Sequence, residues 1–201
     1  MGVRKEKAAE TRTALKDAAR TLFVERGYLN TKITDIAAAA GRATGSFYEH
    51  FDSKQALLQS LLADMHESAH ARMTEPEHPR EHDLTDPVQL RAHLAVAWHL
   101  MKDNLPVVVA IYESAMTDGH GPELAWQRLT EDTGVLREHL EWLAEQGRSL
   151  PGEPALVAAA MGGMLSSLAY AILRTDRTGL TDDQVLDTLT ALLGTGLRGA
   201  R

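Results

Sequence analysis

Residues 31–54 of the chain read T-K-I-T-D-I-A-A-A-A-G-R-A-T-G-S-F-Y-E-H-F-D-S-K and fit two short helices joined by a glycine turn. The first helix gains one apolar face from side chains spaced i, i+3 and i+4, namely Ile33, Ile36 and Ala37. Gly41 stands where this helix must end, because glycine enters the left-handed conformation without a Cβ penalty. The second helix has a buried side formed by Phe47, Tyr48 and Phe51. A helix this short is not stable alone, so the pattern predicts a helix-turn-helix whose neighbours present the second helix to DNA.

A larger set of residues keeps one unbroken register across this segment: Gly27, Tyr28, Thr31, Ile36, Ala37, Ala40, Gly41, Gly45, Tyr48, His50, Phe51 and Lys54. These residues match the signature G-Y-x-x-T-T-V-x-x-I-A-x-x-A-G-V-S-x-G-x-x-Y-x-H-F-x-x-K, and the segment resembles the DNA-binding domain of the TetR (tetracycline-repressor-like) family. The resemblance is confined to roughly the first 65 residues. It implies a DNA-reading head followed by a helical body that binds a small molecule.

The resemblance also implies roles for individual side chains. Phosphate contacts are expected for Thr31, Tyr48, His50 and Lys54. Base edges are expected to be read from the positions of Arg42, Thr44, Ser46 and Glu49. Two alternatives stay open: Tyr48 packs inside the head, and His50 is an ordinary surface side chain.

Three residues depart from the family signature at contact or capping positions: Lys32, Arg42 and Ala43. We interpret Lys32 as a phosphate clamp and Arg42 as a groove or phosphate contact, with solvated surface charges as the alternative. Ala43 replaces the serine that would cap the second helix, a loss that typically costs ~0.5–2 kcal/mol. Thr44 supplies a replacement hydroxyl if the helix begins one residue later.

The charge of the chain is unevenly distributed. Residues 1–54 contain 10 Lys and Arg against 7 Asp and Glu, a formal charge of +3, whereas residues 55–201 contain 11 against 21, a charge of −10. A basic head on an acidic body would orient the molecule on a phosphate backbone. The leading cations, Arg4, Lys5, Lys7 and Arg12, form either a disordered arm that reaches DNA or a soluble tail.

Helical periodicity extends along nearly the whole chain, and period-two runs typical of strands are absent. We predict an all-α protein with a three-helix DNA-binding domain at 1–52 and a helical ligand-binding and dimerisation domain at 53–201. The first helix should run from Lys7 to Arg26, and the fourth should begin near Ser53, which can cap it. Further helices are predicted at 87–103, 105–117, 122–147, 154–175 and 182–198.

Composition limits the chemistry and the compartment. The chain has no cysteine, so neither disulfides nor thiolate metal sites can contribute. Its start, M-G-V-R-K-E-K-A-A-E, lacks the apolar region of a secretory signal. A cytoplasmic protein without a cofactor is therefore expected.

Residues 154–173 form a run without a charged residue, which is long enough to cross a bilayer. Small residues recur in this run at every fourth position: Ala155, Ala159, Gly163, Ser167 and Ala171. This spacing lets two helix backbones approach closely, and the predicted last helix is apolar over too wide an arc for one-sided packing. We therefore expect helices 154–175 and 182–198 to pair with their copies in a homodimer, with a membrane span as the alternative.

Residues 66–70, H-E-S-A-H, fit the H-E-x-x-H pattern in which two histidines bind zinc and the glutamate acts as base. The alternative function is therefore a metal-dependent hydrolase that uses His66, Glu67 and His70. A catalytic zinc needs a third protein ligand. The usual G-x-x-H extension is missing, because Met73 and Pro76 stand there, and His78, His82 or His93 could serve only if the fold brings one of them close. We expect no catalytic residue and no metal in this segment.

The family resemblance implies a small-molecule pocket in the body of the protein. Large or adaptable side chains that suit its lining are Trp98, Met101, Tyr112, Met116, Trp126, Met161 and Met164, with plain core packing as the alternative for each. We predict a ligand-responsive transcriptional regulator, most simply a repressor, that binds a near-palindromic operator as a homodimer. An apolar or aromatic effector would release the operator by tilting the fourth helix, which acts as a lever.

Overall fold

The computed structural model describes residues 2–73, 79–115, 121–175 and 179–197. Within these ranges the chain is all α-helical, as predicted, with ten helices and no strand. The helices are α1 (Gly2–Arg26), α2 (Ile33–Ala39), α3 (Thr44–Tyr48), α4 (Lys54–Met73), α5 (Pro87–Asp103), α6 (Leu105–Ala115), α7 (Gly121–Asp132), α8 (Gly134–Glu145), α9 (Pro154–Thr175) and α10 (Asp182–Leu197). They form two compact units, α1 to α4 with α6, and α5 with α7 to α10.

The first unit is built on the apolar side of α1. Its buried side chains recur at helical spacing: Leu15, Ala19, Leu22 and Phe23. Gly27 ends α1 with a φ of 82°. At the start of α4, the Ser53 hydroxyl accepts a hydrogen bond from the Ala56 N–H at 3.0 Å. Both helix limits agree with the sequence prediction.

Helices α4 and α6 belong to this same unit. The α4 side chains add a buried row of leucines, Leu57, Leu58, Leu61 and Leu62, and α6 packs against α1. Lys16 of α1 donates to both carboxylate oxygens of Asp64 in α4, at 2.7 and 2.9 Å. The boundary predicted between residues 52 and 53 therefore lies inside a compact unit, because α4 and α6 group with the head helices. The division of function between two domains stays a prediction.

The second unit encloses one apolar core between α5, α8, α9 and α10. Its large buried members include Leu84, Leu90, Leu94, Trp98, Leu140, Leu143, Met161, Leu165, Leu186, Leu189 and Leu197. Ion pairs join α5 to α10, including Lys102 to Asp182 at 2.6 Å. Helix α9 is long and apolar enough to cross a membrane by length and composition, a test that core helices of soluble proteins also pass. Four of its buried side chains lie in this core: Ala158, Met161, Leu165 and Ala169.

Two predicted helices differ from the structure. Helix α1 begins at Gly2, so Lys5 and Lys7 continue the helix instead of forming a disordered arm. The single helix predicted at 122–147 is divided at Thr133, which lies buried between α7 and α8 with its hydroxyl donating to the Leu129 carbonyl at 2.5 Å. The Thr133 methyl packs where a side chain on Gly162 of α9 would lie. The break coincides with close packing against α9, and Gly134, the first residue of α8, is a local signal for it that the sequence prediction passed over.

Candidate DNA-binding site

The turn between α2 and α3 is a Schellman motif centred on Gly41. Gly41 has a φ of 65°, and its N–H donates to the Ala38 carbonyl at 3.0 Å. The Arg42 N–H donates to the Ala37 carbonyl at 2.8 Å, which completes the pair of bonds that define this helix ending. The predicted turn glycine is confirmed, and the hydrogen bond from the Arg42 N–H to the Ala37 carbonyl fixes the position of Arg42.

The two short helices are capped differently. At the start of α2, the Asp35 carboxylate accepts a hydrogen bond from the Lys32 N–H at 3.1 Å. At the start of α3, Ala43 occupies the cap position without a side-chain hydrogen bond, and Thr44 is already the first helical residue. Thr44 therefore does not replace the missing cap. Helix α3 has only five residues, so its position depends on packing against the head.

One side of α3 is fastened inside the head. Phe47 is fully buried, and its ring centroid lies 5.7 Å from that of Phe51. The Arg12 guanidinium lies 4.3 Å from the Phe51 ring centroid and donates to the His50 carbonyl at 2.9 Å. The prediction that Arg12 belongs to a free arm or tail is wrong, because this side chain holds the end of α3.

The other side of this motif faces solvent and forms what we call the recognition surface: Lys32, Arg42, Thr44, Ser46, Tyr48, Glu49 and His50. Lys32, Arg42, Tyr48 and Glu49 are exposed, and Thr44, Ser46 and His50 are half-buried. Tyr48 is 55% exposed and touches the head through an edge contact with Phe47. The alternative that Tyr48 packs inside the head is therefore not supported.

Thr31 is not part of this surface. The residue is 1% exposed, and its hydroxyl donates to the Gly27 carbonyl at 2.7 Å. The phosphate contact predicted for Thr31 is at odds with this placement, because the hydroxyl is used to close the α1–α2 connection.

Lys54 is also turned into the head. Its ammonium donates to the Tyr28 carbonyl at 2.6 Å and to the Thr31 carbonyl at 2.8 Å, and it lies 4.1 Å from the Tyr28 ring centroid. Partial burial lowers the pKa of Lys54 below its ordinary value, while the charge of Glu113 acts in the opposite direction. The predicted phosphate contact is at odds with these bonds, which give Lys54 the role of tying α4 to the α1–α2 connection.

Gly45, the second residue of α3, has no reason inside the fold to be glycine. Its backbone does not have a positive φ, and a Cβ on it would meet no described atom within 4 Å. Alanine there would favour the helix by up to about 1 kcal/mol. A bare backbone at this exposed position would let another molecule approach α3 closely.

Three of the predicted ligand-lining side chains lie in the core of the second unit. Trp98 and Met161 are buried there, and Met101 packs against the same cluster. The Trp98 indole N–H donates to the Asp182 carboxylate at 3.0 Å. These contacts fit the alternative of core packing, and a ligand role stays a prediction.

The remaining ligand-lining candidates are dispersed. Trp126 and Met164 are exposed, Tyr112 lies on α6 in the first unit, and Met116 lies outside the described residues. The predicted set is therefore not one lining within the second unit.

Two groups of histidines bear on metal binding. The side chains of His66 and His70 lie outside the described residues, so the structure does not test the H-E-S-A-H segment. A different group in the second unit, His82, His93 and His139, brings three ring nitrogens within 4.8 Å of one another. Burial is the main cause that lowers the pKa of His139 below its ordinary value.

Residues 15–61, which include the whole helix-turn-helix, match the family model described as bacterial regulatory proteins, tetR family. This segment is therefore a DNA-binding domain of the TetR family. Among curated TetR-family relatives, the transcriptional regulator TtgR of Pseudomonas putida is 41% identical over 86 residues, covering 42% of this chain and 39% of TtgR. The transcriptional repressor KstR2 of Rhodococcus jostii is 53% identical over 51 residues, a quarter of each chain. The chain thus matches less than two-fifths of the length of either relative.

Solved TetR-family structures extend the likeness over the whole fold. The fatty acid degradation regulator FadR of Bacillus halodurans superposes with a TM-score of 0.71 at 19% identity, covering 94% of this chain and 96% of that one. AibR, solved with isovaleryl coenzyme A and operator DNA, gives a TM-score of 0.62 at 26% identity, covering 94% and 98%. The family and the named relatives are transcription regulators, not enzymes, and nothing in them supports the hydrolase alternative.

Proposed function

We propose that this TetR-family protein is a transcriptional regulator, acting as a repressor, whose recognition surface binds a specific double-stranded operator. The observation that carries the proposal is the bare backbone of Gly45 within an exposed helix that the head holds firmly from behind. Phosphate contacts are assigned to Lys32, Tyr48 and His50, and base contacts to Arg42, Thr44 and Ser46.

The charge distribution supports binding to a phosphate backbone. The segment up to Lys54 carries a formal charge of +3 against −10 for the remainder, and the exposed cations Lys32 and Arg42 stand at the two ends of the α2–turn segment. An acidic remainder is repelled by DNA, so the head is the part that approaches it. Backbone contacts give the salt-sensitive share of the affinity.

The proposal includes a homodimer through α9 and α10, and side chains that the single chain leaves exposed support it. Leu156, Met164 and Leu168 lie on one face of α9, and Leu192 of α10 is 57% exposed. Apolar side chains in such a row mark a protein contact, and a two-fold pair of the same helices would cover them. Such a dimer presents two α3 helices to half-sites about 34–36 Å apart, so the operator is near-palindromic.

The regulator is further proposed to respond to a small molecule. The AibR structure contains both a coenzyme A ester and operator DNA, and the second unit here has a large apolar core around Trp98. An apolar or aromatic effector that favours a different arrangement of this core would weaken operator affinity through α4. A coupling of ~1–3 kcal/mol suffices for a 5- to 150-fold change. A cytoplasmic location without a membrane span completes the proposal.

Selection of genomic fragments by the purified full chain tests the DNA assignment. Bound fragments should share a near-palindromic site, and the protein should prefer it to random duplex at about 150 mM salt. The variant Thr44→Ala should change the preferred sequence, whereas Arg26→Ala, which removes an exposed cation of α1 outside the recognition surface, should not. Equal affinity for selected and random duplexes would show the proposal to be wrong.

A further inference from the structure

Three histidines from distant parts of the sequence converge in the second unit. His82 lies in the segment before α5, His93 lies on α5, and His139 lies on α8. Nε2 of His93 is 3.2 Å from Nδ1 of His82 and 3.1 Å from Nε2 of His139. All three rings offer a nitrogen to one small volume. We call this group the histidine triad.

Backbone carbonyl groups fix the orientation of the His93 and His139 rings. Nδ1 of His93 lies 2.8 Å from the Gln89 carbonyl oxygen, and Nδ1 of His139 lies 2.9 Å from the Arg80 carbonyl oxygen. A carbonyl only accepts hydrogen bonds, so each Nδ1 carries the proton. In the neutral ring Nε2 then bears the lone pair. Histidines that ligate metals are typically held in this way, by a carbonyl at the nitrogen opposite the metal.

The two Nε2 lone pairs of His93 and His139 face each other at 3.1 Å, which is repulsive unless a positive charge lies between them. A further proton would make one ring an imidazolium. His139 is 1% exposed, and burial opposes such a charge on its ring, while the Glu138 carboxylate acts in the opposite direction. A metal cation would instead satisfy all three nitrogens together. In a tetrahedral zinc site with Zn–N of 2.0–2.1 Å, ligand nitrogens lie about 3.3 Å apart, close to the two short separations here.

The segment that carries His82 is held in place on both sides. Arg80 pairs with Glu145 of α8 at 2.5 Å, and Arg148, just beyond α8, pairs with Asp83 at 3.1 Å. Leu84 is fully buried in the core of the second unit. His82 is thus presented to the other two rings by a fastened segment. The ligand atoms of His82 and His139 lie within 4.8 Å of each other, so reaching the tetrahedral separation of about 3.3 Å needs a closure of at most about 1.5 Å. A rotation of the half-buried His82 ring can supply this closure.

We propose that His82 Nδ1, His93 Nε2 and His139 Nε2 bind one divalent transition-metal ion of the zinc class. Imidazole nitrogen suits zinc, copper, nickel and iron rather than calcium or magnesium. Three protein ligands leave a fourth position for water or for a donor atom of another molecule. The ion would join the segment before α5 to α5 and α8, so it stabilises the second unit.

Metal titration of chelator-treated, tag-free full-length protein tests this proposal, with zinc and cobalt(II) as probes. One equivalent of cobalt(II) should give the strong visible absorption of a four-coordinate nitrogen site. At a free zinc concentration about 100 times its Kd, the thermal midpoint should rise by about 5–10 °C. His82→Asn and His93→Gln should lose at least about tenfold in affinity.

Two controls separate the triad from other histidines. His99→Gln removes an exposed histidine from the same helix α5 and should leave affinity unchanged. The double variant His66→Ala, His70→Ala should also keep the metal. Loss of the metal in that double variant, or equal affinity for the wild type, His82→Asn and His93→Gln, would overturn the proposal.

The chemical shifts of the imidazole nitrogens in NMR spectra of the wild type test metal binding at the histidine triad even where a variant fails to fold. Zinc should shift Nδ1 of His82 and Nε2 of His93 and His139. A cluster held together by a shared proton only would show no zinc-dependent shift and would also overturn the proposal.

Discussion

Replacement of Gly45 by Ala separates the stability of α3 from its use in binding. The substitution adds one methyl group at a position where a Cβ meets no described atom within 4 Å, in a backbone without positive φ. The free protein should therefore become more stable, by about 0.5–1 kcal/mol, because alanine favours a helix over glycine. If DNA approaches the bare backbone, the same methyl overpacks that contact at a cost of about 1–3 kcal/mol. Operator affinity should fall by about 5- to 150-fold.

Fluorescence anisotropy with a selected duplex, alongside chemical denaturation, measures the two effects on one sample. Gly134→Ala is the matched control, since Gly134 also lies in the first turn of a helix with open space around its Cβ. It should gain stability without losing affinity. Wild-type affinity in Gly45→Ala would refute the reasoning that the bare backbone serves DNA contact. Lower stability would show that α3 has an internal constraint that its geometry does not reveal.

Three further predictions follow from contacts in the two units. Arg42→Ala should lower the salt slope of DNA binding by about 1 while changing the free energy of unfolding by less than about 0.5 kcal/mol. Lys54→Met should instead lower the free energy of unfolding by about 1.5–3 kcal/mol, since it removes charged hydrogen bonds to two carbonyls. The opposite pattern in the salt titration of binding and in the denaturant titration would exchange the roles of the two residues. Hydrogen bonds from Lys102 and then Trp98 lower the pKa of Asp182. The stability that Asp182 contributes is therefore full above its unfolded pKa of about 3.9 and is lost as pH falls through the lower folded pKa. Asp182→Asn should reduce the fall of the thermal midpoint at acid pH, and an unchanged fall would contradict this. Leu192→Glu should shift the sedimentation coefficient toward that of a monomer. The control Val88→Glu should not, although Val88 is 75% exposed on α5. A dimer that persists in Leu192→Glu would place the interface elsewhere.

The head could be predicted from the sequence because its determinants are local. The positive φ of Gly41, the end of α1 at Gly27 and the Ser53 cap each depend on a residue type within a few positions of the helix end. The roles of Thr31 and Lys54 could not be predicted in the same way. Both side chains occupy motif positions, yet their hydrogen bonds close the α1–α2 connection. A motif fixes which residues stand at a site, but packing decides which of them face outward.

The body of the protein could be predicted less well from the sequence than the head, because its structure depends on contacts between distant segments. Thr133, at the break between α7 and α8, packs closely against Gly162 of α9. Among the periodic small residues of α9, Gly163 also faces its own chain, because a Cβ on it would lie 3.7 Å from the Leu129 side chain. Only side chains that remain exposed, such as Leu156 and Leu192, still favour a partner. The dimer prediction therefore now depends on fewer residues than the periodic small residues of α9 indicated.

The two histidine groups also differ in how far the sequence alone reveals them. H-E-S-A-H is visible in the sequence because both of its histidines lie on one helix, whereas His82, His93 and His139 have no spacing that is typical of a metal site. One local signal was nevertheless present. His139 stands on the buried face of α8 with Leu136, Leu140 and Leu143, where a polar ring needs partners. Those partners come from the segment before α5 and from α5 itself, so only the fold could identify them. A buried histidine on an apolar helix face therefore marks a place where tertiary contacts decide between core packing and a ligand site.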